Sequence, residues 1–252
     1  MNTVHRSRER LDRLLVARGL APSREKAQAL ILAGEVLVNN QRVDKVATPV
    51  RPNAAIKLRG QRLRYVSRGG LKLEAALDHF GVDPKGRICL DVGASTGGFT
   101  DCLLQRGAAH VFAVDVGTNQ LDWKLRQDAR VSVLEKTNAR ALKWNVLGSR
   151  IDLATMDVSF ISSTLILPAM APLLRPGGEL LVLVKPQFEL SRRKVGKGGI
   201  VRDSGLHREA VRKVASAVQQ LGFEEGGEVE SALTGAEGNR EFFLYARRPG
   251  SA

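Results

Sequence analysis

Four charged residues, Lys72, Asp157, Lys185 and Glu241, stand beside apolar or helical segments. Asp157 and Lys185 each close a long apolar run, Glu241 precedes another, and Lys72 lies early in a predicted helix that follows Ser67. A lysine can remove a proton from a weak nucleophile when burial or a neighbouring positive charge lowers its pKa. The set is therefore a candidate site of proton transfer in which carboxylates orient the lysines.

A glycine-rich turn, Asp91-Val-Gly-Ala-Ser-Thr-Gly-Gly-Phe99, follows an earlier apolar run. Glycines let the backbone approach a ligand closely, and the next helix offers its N-terminal amides. The spacing Gly-x-x-x-Gly-Gly differs from the dinucleotide pattern Gly-x-Gly-x-x-Gly. The Asp91 carboxylate would repel a pyrophosphate but attract an ammonium group. Asp115, after the next run, can accept hydrogen bonds from both ribose hydroxyls, and Asn138 can either read an adenine edge or cap its own loop.

Together these residues predict a site for S-adenosylmethionine rather than for a nicotinamide dinucleotide. The predicted cofactor-binding residues lie in the glycine-rich turn and after the next three apolar runs. They are Asp91, Gly93, Ala94, Ser95, Gly97, Gly98, Phe99, Asp115, Val116, Asn138 and Asp157. The four histidines are scattered and form no visible ligand set, so no metal is expected.

The elements that position these residues alternate between short apolar runs and helical stretches from residue 69 onwards. Candidate strands are Arg87–Asp91, Val111–Asp115, Val131–Leu134, Ile151–Asp157, Glu179–Lys185, Glu241–Ala246 and one near Glu228–Leu233. Such alternation predicts an α/β fold, a parallel sheet with helices on both faces. Ligands of these sheets bind beyond the carboxyl ends of the strands, so the candidate residues are expected to meet at one edge.

The first quarter of the chain is strongly basic. Residues 1–70 carry a net charge of +10, and the remaining 182 residues carry +3. Leucines at helical spacing in residues 11–20 predict one helix, and a second is predicted from Arg24 to about Ala33, with short strands near residues 36–43 and 55–58. Concentrated positive charge indicates a polyanionic partner. The alternative is a solvated basic surface without a partner.

Three motifs within residues 8 to about 60, Arg-Leu-Asp-Arg-Leu-Leu, Ser-Arg-Glu-Lys-Ala and Gly-Glu-Val-Leu-Val-Asn, resemble the S4 RNA-binding domain. The resemblance implies that a basic helical face contacts phosphates of folded RNA. We expect an S4 domain over residues 1–62, a linker over 63–66 and a second domain over 67–252. Tyr65 either stacks on a base or packs between the domains, and packing is favoured. The predicted RNA-binding residues are Arg6, Arg10, Arg13, Arg18, Arg24, Lys26, Arg42, Arg64, Arg68, Arg192, Arg193 and Lys197.

A wider resemblance covers nearly the whole chain. Lys72, Asp157, Lys185 and Glu241 resemble the Lys-Asp-Lys-Glu tetrad of ribose 2′-O-methyltransferases of the FtsJ type. The S4 motifs, the glycine-rich turn, Asp-Val-Ser-Phe-Ile-Ser and Lys-Pro-Gln-Phe-Glu follow in the order of the TlyA family, historically called haemolysin A. The resemblance implies a Rossmann-like class I methyltransferase fold with a seven-stranded, mostly parallel sheet. It also implies S-adenosyl-L-methionine as cofactor and a cytidine 2′-hydroxyl of ribosomal RNA as substrate.

The chemistry of that reaction suggests a role for each member of the tetrad. A ribose hydroxyl is a poor nucleophile at neutral pH, so a base must take its proton as the methyl group transfers in line. We expect Lys185 to be the base, Asp157 to orient it, and Lys72 with Glu241 to position the lysine and the ribose. The basic segment Ser191–Gly199 either clamps RNA or is a solvated loop.

The target subunit is suggested by the resemblance. Only Pro249–Ala252 follow the last predicted strand and its flanking residues. TlyA members with a further helical tail modify both ribosomal subunits, whereas shorter members are associated with the large one. A missing contact patch can decide between two RNA surfaces of similar affinity. We therefore expect 23S rRNA of the 50S subunit as the main target, with 16S modification weak or absent.

Composition limits the other classes of function. Cys89 and Cys102 show neither metal-ligand nor disulfide spacing, which favours core packing and a cytoplasmic location. No apolar run approaches the roughly 20 residues of a membrane helix, and no membrane partner is expected. Two alternatives stay open: an inactive rRNA-binding or ribosome-assembly factor, and a membrane-active haemolysin, which the old family name suggests.

Overall fold

The computed structural model describes residues 8–58, 64–235 and 238–250. The chain divides into two compact units, residues 1–63 and 64–252. The division falls in the basic stretch where the sequence predicts a linker. Arg6, which is predicted to bind RNA, lies outside the described residues.

The N-terminal unit has two short helices and two small sheets. The helices are α1 (Leu11–Ala17) and α2 (Arg24–Leu32), and the strands are β1 (Glu9–Arg10), β2 (Val36–Val38), β3 (Gln41–Val43), β4 (Pro49–Val50) and β5 (Ile56–Leu58). Strand β2 pairs antiparallel with β3 and β5, and β1 pairs with β4. Apolar residues of both helices form the core with β2. The predicted α+β module is confirmed, and the β1–β4 pair was not predicted because each of its strands has only two residues.

The second unit is built on a seven-stranded sheet. Its helices are α3 (Gly69–Phe80), α4 (Gly98–Gln105), α5 (Trp123–Arg126), α6 (Trp144–Leu147), α7 (Leu167–Met170), α8 (Pro186–Glu189) and α9 (Ser204–Gln220). Its strands are β6 (Ile88–Val92), β7 (His110–Val114), β8 (Val131–Leu134), β9 (Ile151–Met156), β10 (Leu174–Val184), β11 (Glu224–Glu230) and β12 (Phe242–Arg247). The order is β11-β12-β10-β9-β6-β7-β8, with β12 antiparallel to both neighbours and the other pairs parallel. The expected mostly parallel α/β fold is confirmed.

Strand β10 shows why this sheet is covered on both faces. Leu180, Val182 and Val184 belong to one core cluster, and Leu181 and Leu183 belong to another. Successive side chains of a strand point to opposite faces, so both faces of β10 are buried. Helix α9 contributes to the first cluster, and α3 and α4 contribute to the second. A continuous apolar run is the pattern expected of such a strand.

Two strand boundaries differ from the prediction. Strand β10 begins at Leu174 rather than Glu179. The intervening residues, Arg175-Pro-Gly-Gly178, break the apolar run, and the pairing with β9 shifts register across them. Strand β11 covers Glu224–Glu230 rather than Glu228–Leu233. It is an edge strand with a mostly polar sequence, so hydrophobic alternation gives a poor estimate of its limits.

Three residues singled out in the sequence are buried in the second unit. Cys89 and Cys102 are free thiols in its core, as expected for core packing. Tyr65 packs in the same cluster, against Gly70, where an added Cβ would lie 2.3 Å from Tyr65 Cγ. Tyr65 therefore has a packing role within the second unit.

Two kinds of feature are absent from the part of the chain that the structure describes: a membrane-spanning helix and a cluster of metal ligands. Within residues 8–58, 64–235 and 238–250, no helix is both long and apolar enough to cross a membrane. The same residues contain no group of three or more His, Cys, Asp or Glu side chains that could hold a metal ion.

Candidate active site

The residues that follow β6, β9 and β10 line a cavity of about 560 Å³. Lys72, Asp157, Lys185 and Glu241 all line it. Asp157 and Lys185 directly follow two parallel strands, and Lys72 comes from the first turn of α3. Glu241 directly precedes β12, which runs antiparallel to β10 and so begins at the edge where β10 ends. The sheet topology therefore gathers the four predicted residues in one place.

The four side chains form two ion pairs. Lys72 Nζ donates to Glu241 Oε2 at 2.6 Å, and both side chains are largely buried, at 12% and 3% exposure. Lys185 Nζ lies 2.5 Å from Asp157 Oδ1 and donates to Ser159 Oγ at 2.9 Å. Each lysine thus has one carboxylate partner at the cavity wall. Removing one partner of such a pair would leave the other charge poorly solvated.

The glycine-rich turn forms another wall of the cavity. Gly93 has a φ of 86°, and an added Cβ there would lie 2.3 Å from the backbone oxygen of Asp157, so the turn needs glycine to reach this backbone. An added Cβ on Gly98 would lie 2.2 Å from Ser67 Oγ and 2.9 Å from Gly70 N. The first turns of α3 and α4 therefore touch, and residues from both line the cavity. Helix N-termini carry partial positive charge, which suits a bound carboxylate.

A second cavity of about 380 Å³ adjoins the first. Both are lined by Gly93, Ser95, Asp157, Ser159 and Phe160. The second is also lined by predicted cofactor residues and by apolar side chains, namely Asp115, Val116, Asn138, Val158, Ile161 and Ile166. The two cavities form one site with a larger and a smaller part.

Asp115 and Asn138 lie in the smaller part with their acceptor oxygens partly engaged. Asp115 Oδ2 accepts a hydrogen bond from Ser95 N at 2.8 Å, and Oδ1 accepts one from Gly117 N at 2.7 Å. Each carboxylate oxygen has two lone pairs, so both can still accept a hydroxyl. Asn138 Oδ1 caps the following turn by accepting from Arg140 N at 3.1 Å. The capping role of Asn138 is therefore present, alongside a position on the cavity wall.

Asp91 is placed differently from the prediction. It is fully buried and lines neither cavity. Its Oδ2 accepts from Thr100 Oγ1 at 2.7 Å and its Oδ1 from Thr155 Oγ1 at 3.3 Å. Burial raises the pKa of this carboxyl to about 7. Asp91 thus supports the turn from beneath, which corrects the expectation that it faces a ligand.

Gly97 also lines neither cavity, although it was expected to bind the cofactor. Gly97 has a φ of 98°, and an added Cβ would lie 2.2 Å from Leu125 Cδ1. Backbone conformation and packing therefore account for a glycine at this position. The other predicted turn residues, Gly93, Ala94, Ser95, Gly98 and Phe99, do line the site.

Sequence reasoning missed several residues of the larger part. Ser159 holds Lys185, and Gln187 lines the wall with its Oε1 buried and without a hydrogen-bond partner in the described residues. Phe160 has a φ of 65°, is 91% exposed and stands 5.1 Å from Phe188 between ring centroids. These residues belong to the motifs Asp-Val-Ser-Phe and Lys-Pro-Gln-Phe, so proximity to Asp157 and Lys185 was the signal that could have found them.

The N-terminal unit anchors two of its predicted RNA-binding arginines. The side chain of Asp12 is fully buried, with Arg10 Nε 3.0 Å from Oδ1 and Arg24 Nη2 3.0 Å from Oδ2. The Arg10 guanidinium, with a smaller contribution from Arg24, holds the pKa of the Asp12 carboxyl well below its usual range. Both arginines are close to half exposed, so each remains partly available to solvent while anchored.

The other basic residues of this unit differ in their surroundings. Arg13, Lys26 and Arg42 are exposed. Arg18 donates to the backbone oxygens of Ala54, at 2.7 Å, and Pro52. These two bonds give Arg18 a structural role within the unit.

Most of the predicted RNA-binding residues of the second unit lie at or beside the larger cavity. Arg68 lines this cavity, and the Arg64 side chain pairs with Glu74. Three exposed residues, Arg192, Arg193 and Lys197, lie in two short 3-10 turns over residues 192–194 and 197–199. Val195 and Gly199 of the same segment line the cavity. The basic segment therefore borders the site.

Comparison with known proteins agrees with this geometry. The model of the FtsJ-like methyltransferase family matches residues 65–248, and that of the S4 domain matches residues 9–56. The 16S/23S rRNA (cytidine-2′-O)-methyltransferase TlyA of Mycobacterium tuberculosis is 48% identical, over 95% of this chain and 90% of the relative. The 23S rRNA (cytidine-2′-O)-methyltransferase TlyA of Campylobacter jejuni is 34% identical, over 91% and 96%. A solved structure from Streptococcus thermophilus, provisionally described as a hemolysin, has 45% identity and a TM-score of 0.74, covering 98% of this chain and 90% of that one.

The matches span both compact units and nearly the full length of the relatives. They include the glycine-rich turn and all four residues of the two ion pairs. The chain belongs to the TlyA family, in which an FtsJ-like methyltransferase domain follows an S4 domain.

Proposed function

We propose that the protein transfers a methyl group from S-adenosylmethionine to the 2′-hydroxyl of a cytidine in ribosomal RNA, chiefly 23S rRNA of the large subunit. The observation that carries the proposal is the pair of lysine–carboxylate contacts on the walls of one cavity beside the glycine-rich turn. The two named relatives support the choice of RNA, because both names include 23S and only one includes 16S.

The two parts of the site suit the two ends of the cofactor. Val116 and Ile161 give the smaller part apolar walls for an adenine, and Asp115 retains acceptor capacity for both ribose hydroxyls. In the larger part, the N-terminal ends of α3 and α4 suit the methionine carboxylate. When bound, the cofactor supplies an electrophilic methyl group on a sulfonium.

Lys185 is the residue that receives the proton of the ribose hydroxyl. A lysine acts as a base in its neutral form, which the positive charge of a bound sulfonium would favour and the neighbouring Asp157 carboxylate opposes. Asp157 and Ser159 both contact Nζ. These contacts restrict the direction in which the lone pair of the neutral amine points. Orientation of this kind supplies a large part of the rate of an in-line transfer.

The Lys72–Glu241 pair, which lines the same cavity, positions the substrate. Its carboxylate is nearly inaccessible, at 3% exposure, and suits a hydrogen bond with a ribose hydroxyl rather than free exchange with water. Gln187 Oε1, which has no hydrogen-bond partner among the described residues, offers a further acceptor in this cavity. Together these groups suit a ribose rather than a planar amine as the nucleophile.

The N-terminal S4 unit is proposed to bind folded ribosomal RNA through its exposed basic residues. Arg10 and Arg24, held by Asp12, and the exposed Arg13 and Lys26 are its candidate phosphate contacts. In the second unit, Arg68 and the segment 192–197 are proposed as further RNA contacts beside the cavity. Ribosomal RNA as the substrate places the proposed activity in the cytoplasm.

Methylation of purified ribosomal particles tests the proposal. Wild-type protein, labelled S-adenosylmethionine and 50S particles should yield a 2′-O-methylcytidine that maps to one position of 23S rRNA. Lys185→Met should slow the single-turnover rate by about 10²–10⁴-fold and leave RNA affinity nearly unchanged. The matched control is Lys124→Met, since Lys124 pairs with Asp101 and lines neither cavity. A wild type that binds RNA but transfers no methyl group would support an inactive assembly factor instead.

The same assay separates the two subunits. With 30S particles in place of 50S, incorporation should be weak or absent. Comparable incorporation into 30S particles would contradict the subunit assignment and leave the 2′-O-methylation proposal intact.

A further inference from the structure

Glu189 joins the two loops that carry the catalytic pair, although it lines neither cavity. It ends α8, which begins directly after Lys185. Its Oε1 accepts from Ser163 N at 2.7 Å, and its Oε2 accepts from Ser162 Oγ. Ser162 and Ser163 belong to the loop that begins at Asp157. One carboxylate therefore bridges the segments that follow β9 and β10.

Helix α9 completes the bridge through Lys213. Its Nζ donates to the backbone oxygen of Glu189 at 2.6 Å and to Ser162 Oγ at 3.2 Å, and it lies 3.5 Å from Glu189 Oε2. The Glu189 side chain is only 1% exposed, whereas Lys213 is 44% exposed. The Glu189 carboxylate is therefore shielded from solvent, whereas its lysine partner is partly exposed.

Burial of a carboxylate at this point has an energetic consequence. A buried charge is unfavourable unless it is paired and hydrogen-bonded, and apolar packing could have closed the same space. The two hydrogen bonds and the lysine offset that cost only when both loops keep their present positions. Glu189 therefore stabilises one relative placement of the Asp157 loop and the Lys185 loop.

We propose that Glu189 is a positioning residue for the methyl transfer, which holds Asp157 and Ser159 against Lys185 through the bridge to Ser162 and Ser163. This inference rests on the proposed function of Lys185. It assigns Glu189 no contact with the substrate or the cofactor. Its loss should therefore lower kcat while the Kd for S-adenosylmethionine and the KM for RNA change little.

Steady-state kinetics of the full chain test this assignment. Glu189→Ala should lower kcat by about 10²-fold, the effect of a misplacement near 1 Å in a catalytic site, with KM and Kd within about threefold of the wild type. Glu189→Gln keeps the side-chain length and an acceptor for Ser163 N, so it should restore most of the lost kcat. Ser162→Ala removes the other end of the bridge and should lower kcat in the same direction. The double variant should be no slower than Glu189→Ala, since residues that act as one unit are not additive.

Glu179→Ala is the matched control. Glu179 is also a largely buried carboxylate, held by Arg87 and Tyr245 in the middle of β10, and it lines neither cavity. Its replacement should lower thermal stability without lowering kcat. A folded Glu189→Ala or Ser162→Ala variant with wild-type kcat would overturn the proposal. So would a kcat loss that Glu179→Ala reproduces, because loss of stability alone would then explain it.

Amide hydrogen exchange tests whether Glu189 links the two loops, and it does not require enzymatic turnover. Glu189→Ala should speed amide exchange in residues 157–163 and 185–190 together, and Glu179→Ala should leave both segments protected. Exchange that rises in only one segment, or in neither, would show that Glu189 does not join them. Because this measurement needs no activity, it distinguishes failure of the bridge from failure of the methyltransferase proposal.

Discussion

The buried carboxyl of Asp91 makes the stability of the methyltransferase unit depend on pH in a way that Asp91→Asn should remove. Burial raises its pKa from 3.8 to about 7 in the folded protein, against the hydrogen bond from Thr100, which favours the ionised form. The raised pKa means that the folded state retains a proton that the unfolded state has lost. The stabilising contribution is therefore complete below about pH 4 and is lost as the pH rises through 7.

The magnitude follows from the two pKa values. Between the pKa of the unfolded state and that of the folded state, each rise of one pH unit lowers the free energy of unfolding by about 1.4 kcal/mol. Between pH 5 and pH 8 the wild type should therefore lose about 3 kcal/mol relative to Asp91→Asn. Subtracting the free energy of unfolding of the variant from that of the wild type at each pH removes the contribution of the other titrating groups, which the two proteins share.

Urea unfolding at half-unit pH steps, followed by circular dichroism, measures this difference. Thr100→Val is an informative second variant, because removing the hydroxyl that favours the charged form should move the loss to higher pH. If the wild type and Asp91→Asn show parallel pH profiles, Asp91 does not hold a proton near neutrality and the burial argument is incorrect.

Three further outcomes are expected. Asp115→Ala should weaken S-adenosylmethionine binding by at least about 10²-fold by calorimetry, since two hydrogen bonds to a charged acceptor are each worth about 1.5–3 kcal/mol; unchanged binding would contradict the assigned ribose contact. Gly98→Ala should lower the free energy of unfolding by about 1–3 kcal/mol, because its Cβ would meet Ser67 Oγ and Gly70 N, and a melting temperature equal to that of the wild type would refute this contact. Deleting residues 1–63 should flatten the log–log salt dependence of RNA binding by about 0.7–0.9 per lost phosphate contact, and an unchanged slope would mean that the second unit alone carries recognition.

Local patterns were enough to predict most of the architecture. The alternation of apolar runs and helices predicts the parallel sheet because strand and helix periodicities are properties of a few neighbouring residues. The limits of β11 escaped the prediction, since the polar edge strand Glu224–Glu230 owes its conformation to pairing with β12. The short β1–β4 pair was missed for the same reason.

The sequence by itself determined which residue types are available at the site: a glycine-rich turn, Asp115, and the quartet of lysines and acids. Only the tertiary structure decided that Lys72 and Glu241 form an ion pair, that Asp91 is buried beneath the turn, and that Glu189 bridges two loops. These outcomes depend on the strand order and on the antiparallel insertion of β12, which places Glu241 beside Lys72 across 169 residues of chain. Periodicity is local, whereas side-chain pairing and burial depend on which distant segments the chain packs together.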